Sequence, residues 1–311
     1  MAYTTGTSSF NMDFTEIAEE AWERAGREMR SGYDLRTARR SMNLLTIEWQ
    51  NRGINMWTIE QGSFTLTAGL NTYPIPTDTI DLMDHVIRTG ANSASTQADL
   101  TITRISASTY ATIPNKLQQA RPIQILVQRN SGETNPTSAT LSSTINATVT
   151  EITLSSTVGL AAAGYIKLDS EIIYYQYISG NTLYVCSRAQ NYTTAASHTG
   201  GTAVYVAQLP AVTVWPTPDD STTYQLVYWR LRRVQDAGSG VEVGDMNFRF
   251  LPACAAGLAY HIAVKVPELM ARVQMLKDMY DEQFNLAAGE DREKAAIRFV
   301  PRQMFIGGGS A

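Results

Sequence analysis

The hydrophobic period of the sequence changes twice along the chain, and this change limits the fold more than any other feature. Apolar residues recur every three or four positions in residues 13–52 and again after residue 248, as in helices that bury one face. Between these regions, short runs rich in β-branched and aromatic residues are bounded by Gly, Pro and Asn, which is typical of strands. Helices separated from strands in this way predict an α+β fold.

Two helices are predicted near the N-terminus. The first covers residues 13–31, because Asp13 and Glu16 have the spacing of a capping box, in which two side chains satisfy free N–H groups of the first turn. The second covers residues 34–52 and is expected to begin at Asp34 and to end before Gly53, which suits a left-handed stop. Its apolar stripe consists of Leu35, Ala38, Met42, Leu45 and Trp49.

Two further helices are predicted near the C-terminus. The segment from about 248 to 264 is apolar on most faces and is therefore expected at the centre of a helical bundle. Pro267 begins the next helix, predicted over 267–294. The apolar stripe of that helix is Leu269, Val273, Leu276, Tyr280 and Phe284, and its charged side carries Arg272, Lys277, Asp278, Asp281 and Glu282.

The composition changes sharply between residues 131 and 208. This stretch consists almost wholly of Ser, Thr, Ala, Gly, Ile, Val and Tyr, in short runs separated by turn residues, which predicts a small β-sandwich or barrel. The preceding strand pattern resumes after it in "AVTVWPTPDDSTTYQLVYW", two strands around a turn. We therefore interpret 131–208 as a module inserted between two strands of one antiparallel sheet, since loop-closure entropy grows only slowly with length.

Composition and charge exclude several classes of protein. The net charge is -4, so no overall basic field points to nucleic acid as a partner. No apolar run approaches the roughly 20 residues that a membrane-spanning helix needs. The two cysteines, Cys186 and Cys254, lie far apart and are expected to be buried, reduced thiols. Neither a phosphate-binding loop nor a metal-binding motif is present, so we predict no cofactor, no metal and no catalytic residue.

Four acidic residues are the strongest candidates for catalysis. Glu16, Glu19, Glu20 and Glu23 lie close together on the first helix, and paired carboxylates would suit a cell-wall hydrolase. Arg24 and Arg27 follow at helical spacing from Glu20 and Glu23, however, which favours ion pairs on a solvated face.

The stretch "YWRLRRV" places Tyr228, Arg230 and Arg232 on one face of a strand. This pattern is compatible with contact to a nucleic acid backbone or an acidic partner, but a strand with one buried face and an arginine-rich outer face explains it better. The three histidines, His85, His198 and His261, lie in unrelated elements, and His261 on an apolar helix is interpreted as a core or interface residue.

The last residues, 296–311, are too few to form a core and too apolar for a solvated terminus. Pro301 prevents a helix from continuing through them. We predict an extended docking arm whose apolar anchors become buried only against a partner. Its proposed contact residues are Ile297, Arg298, Phe299, Val300, Arg302, Met304 and Phe305.

Four segments outside the insert together resemble the head-to-tail adaptor family of short-tailed bacteriophages, also called tail tubular protein A or portal-attached head completion protein. The segments are "YPIPTDTIDLMDHVIR", "ITRISASTYATIPNK…RPIQILVQR", "VTVWPTPDDSTTYQLVYWRLRRVQDAG" and "FRFLPACAAGLAYHIAVKVPE…LKDMYDEQFNLAAGEDREKAAIRFVPR". With the N-terminal helices they cover most of the chain outside the insert. The resemblance implies an adaptor core of residues 1–130 and 209–295, an insert of 131–208 and an arm of 296–311.

The insert is similar to a small β-module found within phage structural proteins. The resemblance rests on "GYIKLDSEIIYYQYISGNTLYVCSRAQNYTTAASHTGGTAVY". Where the usual turn reads Arg-Gly-Gln-Asn-Gly-Thr, this chain has Ala189 and Tyr192 in place of both glycines. The sequence alone therefore does not fix the backbone of this turn. By the same resemblance, His198 is a structural turn residue and not a ligand.

The adaptor resemblance implies a non-enzymatic virion protein that forms a homo-oligomeric ring, dodecameric in the family, below the portal. Its partners would be further copies of itself, the portal protein, the tail nozzle and, through the insert, tail fibres, with DNA passing only as cargo and no membrane contact. A tail-tube or nozzle subunit, a virion-associated cell-wall hydrolase and a host-surface binding protein remain as alternatives.

Overall fold

The computed structural model describes residues 6–7, 9–54 and 56–291, and its fold is α+β, as the sequence predicts. Within these residues there are five helices: α1 (Phe14–Ala25), α2 (Gly32–Asn51), α3 (Ala107–Ala111), α4 (Leu251–Ala263) and α5 (Val273–Glu290). The chain divides into two compact units, a helical unit within 1–57 and 234–311 and a β unit of 58–233. The predicted 131–208 module lies inside the β unit.

The start of α1 is determined by its capping box. The Asp13 carboxylate accepts a hydrogen bond from the Glu16 N–H at 2.8 Å, and the Asp13 N–H donates to the Glu16 carboxylate at 3.0 Å, as predicted. The predicted end at Ser31-Gly32 is wrong, because Gly26 adopts a left-handed backbone (φ 98°) and closes the helix after Ala25.

The cap of α2 is Ser31 and not Asp34. The Ser31 hydroxyl accepts a hydrogen bond from the Asp34 N–H at 3.3 Å, and the helix begins at Gly32, two residues earlier than the prediction. Since Asp34 carries its negative charge in the first turn, it still stabilises the helix N-terminus. Gly53 has a φ of 81°, which fits the predicted left-handed stop.

Helix α4 lies at the centre of the helical unit and packs against α1, α2 and α5. Ten of its residues are buried, which confirms the prediction from its apolar composition. Two 3-10 segments, Phe248–Phe250 and Pro267–Arg272, precede α4 and α5, so each predicted C-terminal helix begins with a tighter turn. The structure describes α5 as far as Glu290, and residues 292–294 of its predicted range lie outside the described part.

Gly257 is the close-contact point of this core. A Cβ atom at this position would lie 2.8 Å from the Tyr280 ring and 3.0 Å from the Leu45 side chain. The Tyr280 hydroxyl accepts a hydrogen bond from Trp49 Nε1 at 3.0 Å, so the ring cannot move away without weakening this bond. The packing of α2 and α5 on α4 therefore requires glycine.

We expect Gly257→Ala to be less stable than Gly289→Ala by about 2 kcal/mol. Both substitutions gain helix propensity of about 1 kcal/mol, but only the first overpacks the core, at a cost of about 1–3 kcal/mol. Gly289 is the matched control, because no described atom lies within 4 Å of its Cβ position. Urea unfolding followed by tryptophan fluorescence measures the difference, and equal stability of the two variants would contradict the packing described for Gly257.

The β unit contains sixteen strands in the described residues. In chain order they are β1 (Ile59–Thr65), β2 (Thr72–Pro74), β3 (Thr79–Thr89), β4 (Ala98–Thr101), β5 (Thr103–Ile105), β6 (Gln124–Gln128), β7 (Thr134–Thr140), β8 (Ile152–Thr153), β9 (Gly164–Leu168), β10 (Glu171–Tyr175), β11 (Tyr177–Ser179), β12 (Thr182–Tyr184), β13 (Ser187–Gln190), β14 (Ala203–Ala207), β15 (Ala211–Trp215) and β16 (Tyr224–Arg232).

These strands form four sheets, with the orders β1-β16-β3-β4, β2-β15-β6-β5, β13-β10-β9-β14-β7 and β11-β12-β8. The predicted strand "DLTITRIS" is two strands, because the chain passes from one sheet to the other between β4 and β5. Strand β5 pairs with β6 in parallel, with α3 in the connection, so the region is not purely antiparallel as predicted.

The segment between β6 and β15 follows the arrangement expected for an insertion. Its two flanking strands pair directly, Gln128 opposite Ala211, and the strands from β7 to β14 pair only with one another. Backbone hydrogen bonds join the two ends of the segment. The Gly132 N–H donates to the Gln208 carbonyl, and the Gln208 N–H donates to the Glu133 carbonyl.

The segment nevertheless does not bury all of its apolar residues in its own core. Tyr165, Ile172 and Tyr174 belong to the same buried cluster as Tyr73 and Leu226 of the flanking sheets. The Tyr165 and Tyr174 rings lie 5.1 Å apart within it. A second cluster, which includes Ile166, Ile173 and Val204, is internal to the segment. The insert and the sheets that carry it therefore share part of one core.

Candidate functional site

The predicted docking arm cannot be placed. Its contact residues, from Ile297 to Phe305, lie outside the described residues, which end at 291. Within the described residues, the helical unit presents two exposed faces whose side chains are not buried in its core.

The first of these, here called the basic face, lies on α2 and consists of Tyr33, Arg36, Arg40, Leu44 and Ile47. At about 100° per residue these five side chains project within one arc of the helix. The three apolar members are 64%, 56% and 52% exposed in the order Tyr33, Leu44 and Ile47. Large apolar side chains aligned on a solvent-facing stripe are typical of an interaction surface.

Arg36 and Arg40 give this face its charge, and Arg39 lies beside it. Arg36, Arg39 and Arg40 are exposed, and none forms an ion pair with another described residue. With Tyr33 and Asn43 they line a shallow hollow of about 400 Å³. Burial and, after it, the nearby charge of Arg40 lower the pKa of Lys265. Positive charges are therefore crowded here, so an acidic partner would be favoured.

The second surface, here called the acidic face, lies on α5 and consists of Met275, Asp278, Met279, Glu282 and Leu286. Its apolar members are 49%, 39% and 62% exposed in the order Met275, Met279 and Leu286, and both carboxylates are exposed. These five residues also fall within one arc of their helix. Lys277 points to the other side of α5, so the stripe itself carries only negative charge.

The two faces differ in position and are opposite in charge, while each combines apolar and charged side chains. A surface of this kind can bind a complementary surface on a second copy, with the apolar residues supplying affinity and the charges fixing register. If the basic face of one copy binds the acidic face of the next copy and its own acidic face binds a third, the contact is heterologous and generates a ring or a filament.

Sequence reasoning identified only part of this site. Asp278 and Glu282 were placed on the charged side of the last helix, but the basic face was overlooked. Its signal was present in the sequence, since Tyr33, Leu44 and Ile47 are large apolar residues that fall outside the buried stripe of α2.

Two of the four acidic residues considered for a hydrolase site have other roles in the fold. Glu16 closes the capping box of α1, and Glu20 accepts a hydrogen bond from Arg24 at 2.6 Å, which confirms the predicted ion pair. The ion pair predicted between Arg27 and Glu23 does not form. Arg27 lies 5.4 Å from the centre of the Trp22 ring and 3.9 Å from the Asp34 carboxylate.

The arginine-rich strand does not form the predicted outer face. Arg230 and Arg232 are only 12% exposed at their side chains. Both donate to the Glu60 carboxylate, at 2.8 and 2.6 Å, and Arg230 also pairs with Asp78. Because these carboxylates already neutralise the two arginines, the strand offers little charge to a nucleic acid backbone.

The densest cluster of ionisable groups lies in the insert. Glu171 is fully buried and receives a bidentate hydrogen bond from Arg188, at 2.8 and 2.7 Å. The backbone N–H groups of Ala189 and Ala196 donate to the same carboxylate. Burial would raise the pKa of Glu171, but the hydrogen bonds from Arg188, His198 and the two N–H groups lower it to about 2.

His198 joins this cluster with both ring nitrogens. Nδ1 lies 2.7 Å from the Asp169 carboxylate and Nε2 lies 2.8 Å from that of Glu171. Both contacts are within hydrogen-bond distance, so the ring is held from both sides. Its side chain is 2% exposed, and its contacts tie the 187–198 turn to β10. This placement fits the structural role expected of His198.

The remaining ionisable candidates do not converge on a site. His85 lies on β3, and His261 on α4 has its Nε2 3.4 Å from the Glu48 carboxylate. Cys186 and Cys254 are free and buried, and burial raises the pKa of each thiol to about 12. Residues 6–7, 9–54 and 56–291 contain no group of three or more His, Cys, Asp or Glu side chains that could hold a metal ion.

No helix in the described part of the chain is long and apolar enough to cross a membrane. Comparison with models of protein families gives no match, and comparison with curated proteins gives none either. Any function assigned to this chain therefore rests on its own residues, on their geometry and on the resemblance of its sequence segments.

Proposed function

We propose that this chain is a structural virion protein, a head-to-tail adaptor that forms a ring under the portal and joins it to the tail nozzle of a short-tailed phage. The observation that carries the proposal is the pair of basic and acidic faces on the helical unit, which suits a head-to-tail ring of identical subunits. The family resemblance supplies the location in the phage neck and the dodecameric count. No enzymatic activity and no cofactor is assigned.

In this proposal the ring and the portal are held by different parts of the chain. The two faces join neighbouring subunits, while the arm of residues 296–311 binds the portal. Ile297, Phe299, Met304 and Phe305 would be the buried anchors, and Arg298 and Arg302 would pair with acidic portal residues. Several identical arms around one ring would add avidity to a weak individual contact. Nozzle and fibre proteins would bind elsewhere on the ring, and DNA would pass through it.

Removal of residues 296–311 tests the role of the arm. We expect the shortened protein to fold and to form rings as the full chain does, but to lose binding to the portal. Negative-stain electron microscopy reports the rings, and capture on immobilised portal protein reports attachment. The full chain is the control for both measurements. If the shortened protein still binds portals normally, the arm assignment is wrong.

The same capture experiment separates the proposal from its nearest alternative. A full chain that binds nozzle protein but never portal protein would be a tail-tube or nozzle subunit. A full chain that forms no closed ring, either alone or with portal protein present, would exclude both connector roles.

A further inference from the structure

A turn in the insert keeps a left-handed backbone although it contains no glycine. Ala189, Asn191 and Tyr192 have φ angles of 56°, 51° and 60°. Glycine adopts this region without cost, whereas a side chain with a bulky ring is strained there. Tyr192 is also 89% exposed, so burial within the chain does not compensate for the strain. Strain that packing does not explain points to a functional position.

Tyr192 lies at a hollow of about 320 Å³ in the β unit. Other aromatic rings on its wall are Phe64, Tyr73 and Tyr228, and the Phe64 ring centre lies 5.3 Å from Tyr73 and 5.9 Å from Tyr228. This volume is at the lower end of the range for ligand sites, roughly 300–1,000 Å³, so the hollow suits a single small ring.

The aromatic wall is held rigidly. The Tyr73 hydroxyl donates to the Leu70 carbonyl at 2.6 Å and accepts from the Thr67 N–H at 2.9 Å. The Tyr228 ring lies across Gly62 on the neighbouring strand, where a Cβ atom would approach it to 2.5 Å. The wall is thus formed before any ligand arrives, which lowers the entropic cost of binding.

The hollow also has polar groups that the chain itself does not satisfy. Within the described residues, the Asn191 amide and the Thr65 and Thr67 hydroxyls form no hydrogen bond. An apolar side chain of a partner would bury them without partners, at a cost. None of the described lining residues is Lys or Arg, so a phosphate or carboxylate would find no counter-charge. An anionic ligand is therefore disfavoured, and the lining suits a ligand with an apolar surface for the rings and hydroxyls for the amide.

We propose that this hollow binds one sugar ring of a neutral glycan. The C–H face of the sugar packs against Phe64 and Tyr192, and its hydroxyls bond to Asn191, Thr65 and Thr67. Tyr192 is thus retained in a strained backbone because its ring covers the ligand. This function is separate from ring assembly, since all its residues belong to the β unit.

The test uses the full chain and a panel of methyl glycosides: glucose, galactose, mannose, rhamnose, N-acetylglucosamine and N-acetylgalactosamine. Saturation-transfer NMR and titration should detect binding of at least one glycoside in the millimolar range. Tyr192→Gly and Asn191→Gly should each weaken that binding by at least about tenfold. Glycine suits both positive φ angles, so neither variant should lose thermal stability.

Tyr177→Ala is the matched control, because Tyr177 is another exposed tyrosine of the insert, 48% exposed and not part of the hollow. It should bind the glycoside as the unchanged chain does. Absence of millimolar binding for every glycoside overturns the proposal. So does binding that survives Tyr192→Gly, or a hollow that takes a proline-rich or aromatic peptide and no sugar.

Discussion

Reversing the charge of the basic face with Arg36→Glu and Arg40→Glu is expected to abolish ring formation and to leave the subunit folded. Both arginines are exposed and form no ion pair within the described residues, so the fold does not depend on them. In the proposed contact they face Asp278 and Glu282 of a neighbouring copy. Like charges brought together across an interface cost several kcal/mol, and every contact of a closed ring carries the same penalty.

The reciprocal variant makes this prediction specific. Asp278→Lys and Glu282→Lys should also prevent rings, whereas combining all four substitutions in one chain should restore them. Lys277→Glu is the control, because it changes charge on the same helix away from the acidic face. Native mass spectrometry gives the oligomeric state, and circular dichroism shows that the subunit stays folded.

These experiments distinguish the contact from the function. If the unchanged chain forms rings and the Arg36 and Arg40 variant also forms them, the assigned faces are wrong but a connector role survives. If the unchanged chain forms no ring, either alone or with portal protein present, the connector role itself fails. If the variant with all four substitutions forms rings again, the two faces contact each other directly.

Removing Arg188 should destabilise the β unit by about 3–5 kcal/mol, the cost of leaving a buried charge without its partner. Glu171 is fully buried, and Arg188→Ala removes both of its guanidinium hydrogen bonds. Hydrogen exchange measured by mass spectrometry on peptides within 164–207 should accelerate accordingly. Arg129→Ala is the matched control, since Arg129 is 62% exposed and its contact with Asp81 is 3.4 Å. Its effect should stay below about 1 kcal/mol.

The same cluster predicts that the stability of the β unit depends on pH. The pKa of Glu171 is lowered from 4.5 to about 2, so its stabilising contribution is complete above 4.5 and is lost as the pH falls towards 2. Arg188→Ala should move this loss to milder acid, because the principal hydrogen-bond donor is gone. An Arg188→Ala chain that matches Arg129→Ala in both exchange and acid stability would show that the cluster contributes little.

The sequence predicted the elements well where their causes are local. The capping box of Asp13 and Glu16 involves atoms only a few residues apart, and the apolar stripe of α5 repeats every three or four residues. The prediction failed where two local signals competed. Ser31 and Asp34 are both good N-caps, and Gly26 ended α1 before the predicted Ser31-Gly32.

Contacts between distant residues could not be predicted in the same way. "DLTITRIS" has the pattern of one strand, but it is divided between two sheets by pairing partners elsewhere in the chain. In the sequence, Arg230 and Arg232 resemble a solvent-exposed basic row. In the structure, Glu60 and Asp78 pair with these arginines. The hollow beside Tyr192 combines residues near 64, 73, 191 and 228, and no local pattern indicates that they meet.

By itself the sequence determined the α+β class and the capping box that begins α1, because the hydrophobic period and helix caps act over a few residues. Only the tertiary structure decided which distant side chains meet. Trp49 of α2 and Tyr280 of α5 are 231 residues apart in the chain, yet a hydrogen bond of 3.0 Å joins them. Such a contact depends on how α2 and α5 pack around α4, which a periodic pattern within one helix does not encode. The same packing leaves exposed the two faces on which the proposed function rests.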